Sequence, residues 1–492
     1  MPEPVHLSAY VDRLAGDLPG LERVLRGPLA GLFGGVHLLP FFRPYDGADA
    51  GFDPEDHRVV DPRLGGWDDV AEIAADQDLM IDLIINHVSS ASPQFLDWLK
   101  KGASSEYDGM FLTLGSAFPG GATEEDLLRL YRPRPGLPFT RYTLADGSER
   151  LVWTTFTPQQ IDVDVHDVRT RTYFQEVLDA IAGAGAHSVR LDAVGYAVKT
   201  PGLNSFMTPE TFDFIDEVTA WCHQRDLRVL VEVHSHYERQ VEIAKRVDLV
   251  YDFALPPLIL HALTAGRADP LLDWLRVRPI NAVTVLDTHD GIGVVDVGAD
   301  ATDRSREGLL TPEEIDTLVE TIHDNSGGSS RLATGAAASN VDLYQVNCTF
   351  YDALGANDDR YLLARALQFW TPGIPQVYYV GLRAGRNDTD LLSRTGVGRD
   401  VNRHYYSEEE LAASMERPVV RALAALIRLR SSCAAFDGEV SVEGGGSALT
   451  MTWTAQGSVA RLEADLAAGE GLVVLRTEGE DEERMPLRAL AD

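Results

Sequence analysis

LMIDLIINH, residues 79–87, is an apolar run broken only by Asp82 and closed by Asn86 and His87. A strand with one face in water alternates apolar and polar residues, whereas a strand covered on both faces reads as continuous Val, Ile and Leu. The stretch therefore predicts a buried parallel strand with polar residues at its exit. Seven more segments share its character: VHLSAY (5–10), GGVHLLPF (34–41), SVRLDAV (188–194), RVLVEVH (228–234), VDLVYDF (247–253), AVTVLDT (282–288) and IPQVYYV (374–380). Helical patterns separate several of them. Before the fourth strand, Phe174, Val177, Leu178 and Ile181 recur at helical spacing, and Gly183 and Gly185 then supply stop signals. After it, Thr208 followed by Pro209 caps a helix that turns Phe212, Ile215 and Val218 inward. Strand then helix, repeated eight times, is the pattern of an α/β fold, a (β/α)8 TIM barrel.

The spacing is irregular in two places. Roughly a hundred residues separate Asn86 from the fourth strand, too many for one crossover helix, so residues 88–166 are predicted to form a small inserted domain after strand 3. The interval after strand 7, about 291–360, carries the clusters NSGGSS and TGAAASN and reads as loops and short helices over the barrel mouth. Residues 1–87 and 167–434 are left for the barrel, and the alternating text of 435–492 predicts a C-terminal β domain.

A chain of 492 residues, 45% hydrophobic, can bury a large core. Its formal charge of −33 argues against nucleic acid and anionic membrane as partners, because both require dense cationic contacts. Lysine occurs only at Lys100, Lys101, Lys199 and Lys245, so basic charge is nearly all arginine. Cys222, Cys348 and Cys433 show neither metal-ligand spacing nor the even count of a disulfide framework, which predicts a reducing compartment. The opening MPEPVHLSAYVDRL lacks the basic-then-apolar pattern of a signal peptide, and no run approaches about 18 apolar residues. The expectation is a soluble, cytoplasmic protein.

Three of the strands deliver an acid at their ends: Asp192, Glu232 and Asp290. Carboxylates gathered there can split a glycosidic bond, one attacking carbon, one moving a proton and one steadying positive charge. Arg190, two positions before Asp192, suits a carboxylate that must stay ionised. Asp192 and Glu232 also have ordinary structural alternatives, an Arg–Asp pair at a strand end and a satisfied buried acid. No glycine-rich nucleotide cradle occurs, and the acids of GADAGFDPEDH lack EF-hand spacing, so neither metal nor organic cofactor is expected.

Taken together, DLIINH, RLDAV, EVH and THD resemble the four signature regions of the α-amylase superfamily. The longer stretches LLPFFRPYDGADAGFDPEDH, YRPRPGLPFT, LVWTTFTPQQID, VYDFALPPL, LDTHDGIGVVD, ASNVDLYQVN and GRDVNRHYY resemble, in order, the sucrose phosphorylase family within it. The resemblance implies transfer of glucose from sucrose to inorganic phosphate with retention, giving α-glucose 1-phosphate and fructose. It implies Asp192 as nucleophile, Glu232 as general acid and base with a raised pKa, and Asp290 as the carboxylate that grips the sugar and favours the oxocarbenium-like transition state. His87, His289, Asp49, Arg399, Arg190 and Gln160 match sugar-binding positions, with Phe52, Phe156 and Tyr196 as aromatic walls. Arg134, His234, Asp342, Leu343, Tyr344 and Gln345 match the acceptor side, where phosphate and fructose would bind. A homodimer is implied as well. Alternatives are a hydrolase or transglucosidase on the same barrel, a phosphorylase of sucrose 6-phosphate, glucosylglycerol or glucosylglycerate, and a non-catalytic amylase-like sugar-binding protein.

Overall fold

All eight strand segments enter one closed parallel barrel: β1 (His6–Ala9), β2 (Gly35–Leu38), β3 (Asp78–Ile84), β4 (Ser188–Asp192), β5 (Arg228–Val231), β6 (Leu249–Asp252), β7 (Ala282–Thr284) and β8 (Ile374–Tyr378). They pair in chain order and β8 closes on β1. The computed structural model describes residues 3–43, 49–132, 136–300, 303, 305–336, 345–479 and 481–491. Of the residues singled out from sequence, Arg134, Asp342, Leu343 and Tyr344 lie outside the described residues.

β4 is buried at every position and β3 at all but its first, as unbroken apolar runs require. Register sets what meets inside the barrel. Arg190 pairs with Asp82, Leu191 with Leu83 and Asp192 with Ile84, so Arg190 and Asp82 project to the same side of the sheet. The helix Val168–Gly183 packs Phe174, Val177, Leu178 and Ile181 inward and stops at its predicted glycine. The next helix, Pro209–His223, starts where predicted, but the Thr208 hydroxyl bonds Thr211 Oγ1 at 3.0 Å rather than a backbone N–H. Position, not the expected capping bond, marks that helix start.

Between β3 and β4 the strand His87–Ser89 pairs antiparallel with Gln160–Asp162, and a hairpin joins Phe139–Thr143 to Glu149–Trp153. Between β7 and β8 lie the helices Pro312–Asn325 and Ser329–Ala336, with the short pair Ile292–Gly293 and Gln345–Val346. A five-stranded antiparallel sheet spans Glu439–Gly445 to Glu483–Pro486. Leu449, Met451 and Trp453 alternate toward the barrel, where Trp453 Nε1 donates to Trp370 O at 2.7 Å and Trp370 Nε1 donates to Ala460 O at 3.1 Å. No residue of this sheet lines the cavity described next.

Candidate active site

The strand exits surround one cavity. Its lining includes Asp49, Phe52, His87, Phe156, Gln160, Asp192, Tyr196, Glu232, His234, His289, Asp290, Gln345 and Arg399, which unites most of the residues singled out from sequence. Arg190 does not line it. Only 2% exposed, it lies beneath the floor and donates to Asp82 at 2.5 Å and to Asp192 at 2.9 Å. β4 turns the guanidinium into the barrel, where it supports Asp192. Asp82 is also bonded by His37 Nε2 at 3.0 Å. Burial alone would raise the Asp82 carboxyl, but Arg190 and His37 hold it down at about 2. The floor of the cavity is thus an ion network fixed by strand register.

Asp192 ends β4, and the chain then turns through Ala193 in a left-handed conformation, φ +55°. That turn aims the Ala193 N–H at Glu232 Oε2, 3.2 Å away. The backbone itself ties the first acid's neighbour to the second acid. Burial pushes the Asp192 carboxyl well above the ordinary carboxylate range; Arg190 pulls it back, and Glu232, Asp82 and Asp290 push it further up. Asp192 thus faces three other carboxylates.

Asp290 has the opposite environment. Burial would raise it, but Arg399 Nη1 at 2.9 Å, with His289, His234 and Arg403 nearby, holds it far below the usual carboxylate range. Arg399 also reaches Asp49 at 3.6 Å, and Arg403 Nε braces His289 O at 2.9 Å. His289 stacks on Phe52 with centroids 4.6 Å apart, and burial drives it down to about 3. It is therefore a neutral donor or acceptor.

His87 is tuned through a chain that begins at Lys199. The ammonium contacts Asp162 Oδ2 and Asn86 Oδ1, both at 2.6 Å; Asn86 Nδ2 donates to His87 Nδ1 at 3.2 Å. His87 Nε2 then donates to Phe52 O at 2.8 Å, and Gln160 Nε2 donates to the same carbonyl at 3.2 Å. Phe156 packs edge-on against both His87 and Tyr196, giving the cavity an aromatic wall. Lys199, Asp162 and Phe206 were not legible as site residues. Lys199 had one signal, being among only four lysines in the chain.

Beside the second acid, His234 Nε2 lies 3.7 Å from Glu232 and 3.4 Å from Gln345 Nε2. Ligand atoms of Glu232, His234 and Asp290 fall within 4.8 Å of one another. A cation there would share its ligands with Arg399, whose charge opposes metal binding.

A closed (β/α)8 barrel with three acids at its strand exits places the protein in the α-amylase superfamily. No protein-family profile matches the sequence. The chain is 56% identical over 476 residues to a sucrose phosphorylase of Agrobacterium vitis, covering 96% of this chain and 97% of that protein. It is 53% identical over 474 residues to a sucrose phosphorylase of Bifidobacterium adolescentis, covering 96% and 94%. The crystal structure of a sucrose 6F-phosphate phosphorylase from Thermoanaerobacter thermosaccharolyticum superposes with a TM-score of 0.90 at 36% identity over 99% of both chains. The chain belongs to the sucrose phosphorylase family.

Proposed function

We propose that the protein transfers the glucosyl unit of sucrose to inorganic phosphate, by double displacement with net retention. Asp192 attacks the anomeric carbon as Glu232 protonates the departing fructosyl oxygen. The C–O bond to fructose breaks and an ester bond to Asp192 forms. Phosphate then attacks the same carbon, gives its proton to Glu232 and frees Asp192, yielding α-glucose 1-phosphate. Asp290, kept ionised by Arg399, grips sugar hydroxyls and favours the cationic transition state, and the neutral His87 and His289 fit hydroxyl recognition. Phe52 and Phe156 give the pyranose apolar faces.

The observation that carries this reading is the meeting of Asp192, Glu232 and Asp290 in one cavity, in a chain alike over nearly its whole length to two sucrose phosphorylases. Incubation with sucrose, with and without phosphate, tests it. Glucose 1-phosphate should form only with phosphate, and equal glucose release in both tubes would reject it. Sucrose phosphorylated on its fructose is the discriminating second donor, given the fold shared with the 6F-phosphate enzyme; faster turnover of that donor would move the assignment to it. The reading also takes the protein as a cytoplasmic homodimer. Unpaired cysteines and the lack, among the described residues, of any helix long and apolar enough to cross a membrane are consistent with the compartment. The dimer rests on family resemblance, and light scattering checks it.

A further inference from the structure

Phosphate must enter a cavity already lined by Asp192, Glu232, Asp290 and Asp49, so some cation has to offset the repulsion. Among the described lining residues, the basic side chains are Arg399, His87, His289 and His234. Arg399 is engaged with Asp290 and Asp49, and burial drives His87 and His289 toward the neutral form. His234 is the fourth, on the Glu232 side of the cavity and held by Asp296.

Its surroundings are built to hold it. The ring stacks on Phe253 at 3.8 Å with planes 13° apart, which sets its plane. Nδ1 bonds Asp296 Oδ2 at 2.9 Å. Asp296 is fully buried, and its other oxygen accepts from Ser235 N at 3.0 Å and Gln240 Nε2 at 3.0 Å. The approach is possible only because residue 293 is glycine: a Cβ there would stand 2.5 Å from Asp296 Oδ2 and 3.2 Å from His234 Nδ1. Asp296 thus spends its hydrogen-bonding capacity on the strand exit that carries Glu232 and His234, and does not itself line the cavity.

We propose that Asp296 is a positioning residue that keeps His234 cationic with its Nε2 edge toward the acceptor, and so selects phosphate over water as the attacking group. The inference rests on the phosphorylase reading and names the group that makes the acceptor choice. A neutral donor bonds water and phosphate alike, whereas an imidazolium favours the anion. The charged groups facing His234 are Asp296 from the segment after β7, Glu232 from its own strand exit and Asp290 from the β7 exit; Gln345 and Phe253 are neutral. Burial lowers the His234 pKa, but those carboxylates outweigh it, Asp296 most, and the net direction is upward. His234 therefore stays charged to higher pH than a free histidine.

Asp296→Asn separates charge from orientation. The amide oxygen can still accept from Ser235 and Gln240, and the amide nitrogen can donate to Nδ1, leaving Nε2–H in place on a neutral ring. The expected result is a phosphate KM raised by about tenfold, the loss of one charge-assisted hydrogen bond, with a smaller fall in glucose release to water. The alkaline limb of phosphorolysis should move to lower pH. In a His234→Ala background the same substitution should change neither quantity further. Unchanged phosphate KM and pH limb in Asp296→Asn, or losses that add in the double variant, would overturn the inference while wild-type phosphorolysis stands. Wild type that ignores phosphate would instead overturn the functional reading and this inference with it. The imidazole ¹⁵N shifts of His234 in wild type need no variant: a charged ring at neutral pH is expected, and a neutral one contradicts the role.

Discussion

The Ala193 backbone N–H donates to Glu232 Oε2 at 3.2 Å from a left-handed turn placed directly after Asp192. One peptide therefore sets the relation between the two acids that exchange roles in the proposed reaction. A non-glycine residue with positive φ costs on the order of 1–3 kcal/mol, and a β-branched one costs more. Ala193→Val is expected to destabilise the fold and lower kcat by about a hundredfold, since a 1 Å misplacement costs that much. Ala193→Gly keeps the turn and should keep most activity. Paired kinetics and thermal melts check both, and an active Ala193→Val enzyme would deny the turn its role.

Arg190 is the sole cation bonded to Asp192 among the described contacts, and it also bonds Asp82. Arg190→Met would leave Asp192 without its bonded cation and Asp82 with His37 alone, a change expected to cost about 3–5 kcal/mol. Denaturant unfolding measures it. A loss below about 1 kcal/mol would mean that the network beneath the cavity is not what holds the two acids.

Asp192 predicts an unusual dependence of stability on pH. Its folded pKa lies above the unfolded value, so its contribution is fully present below about pH 4 and is lost as pH rises toward the folded value. Asp192→Asn removes that loss. The variant should be inactive, yet at neutral pH its Tm should equal or exceed that of wild type, and the advantage should shrink toward pH 4. A lower Tm at neutral pH would contradict this.

Asp290 behaves in the reverse sense. Its folded pKa is depressed, so it stabilises the protein above about pH 4 and that contribution disappears as pH falls through the depressed folded value. Arg399→Gln removes the nearest cause of the depression. The acid limb of kcat/KM for sucrose should move to higher pH and sucrose KM should rise. An unmoved acid limb would separate Arg399 from the charge on Asp290.

The barrel was legible because β3 through β7 are buried on both faces and therefore spell out unbroken apolar runs. The three acids and the three cavity histidines were legible because they stand at strand ends, within the motifs. Asp296 was not, although LDTHDGIGVVD ends on it, because its partner His234 lies 62 positions earlier and no local pattern joins them. Arg190 was legible as a partner of Asp192, but only strand register with Asp82 shows that it faces inward. The elevation at Asp192 has no local signal, because the three acids around it, Glu232, Asp82 and Asp290, come together only in the folded chain.

Trapping the sugar ester tests the central claim most directly. A Glu232→Gln variant given an α-glucosyl donor with a leaving group that needs no protonation should accumulate a glucosyl adduct, and peptide mass spectrometry should place it on Asp192. An adduct on another residue, or β-glucose 1-phosphate as the wild-type product, would contradict the account.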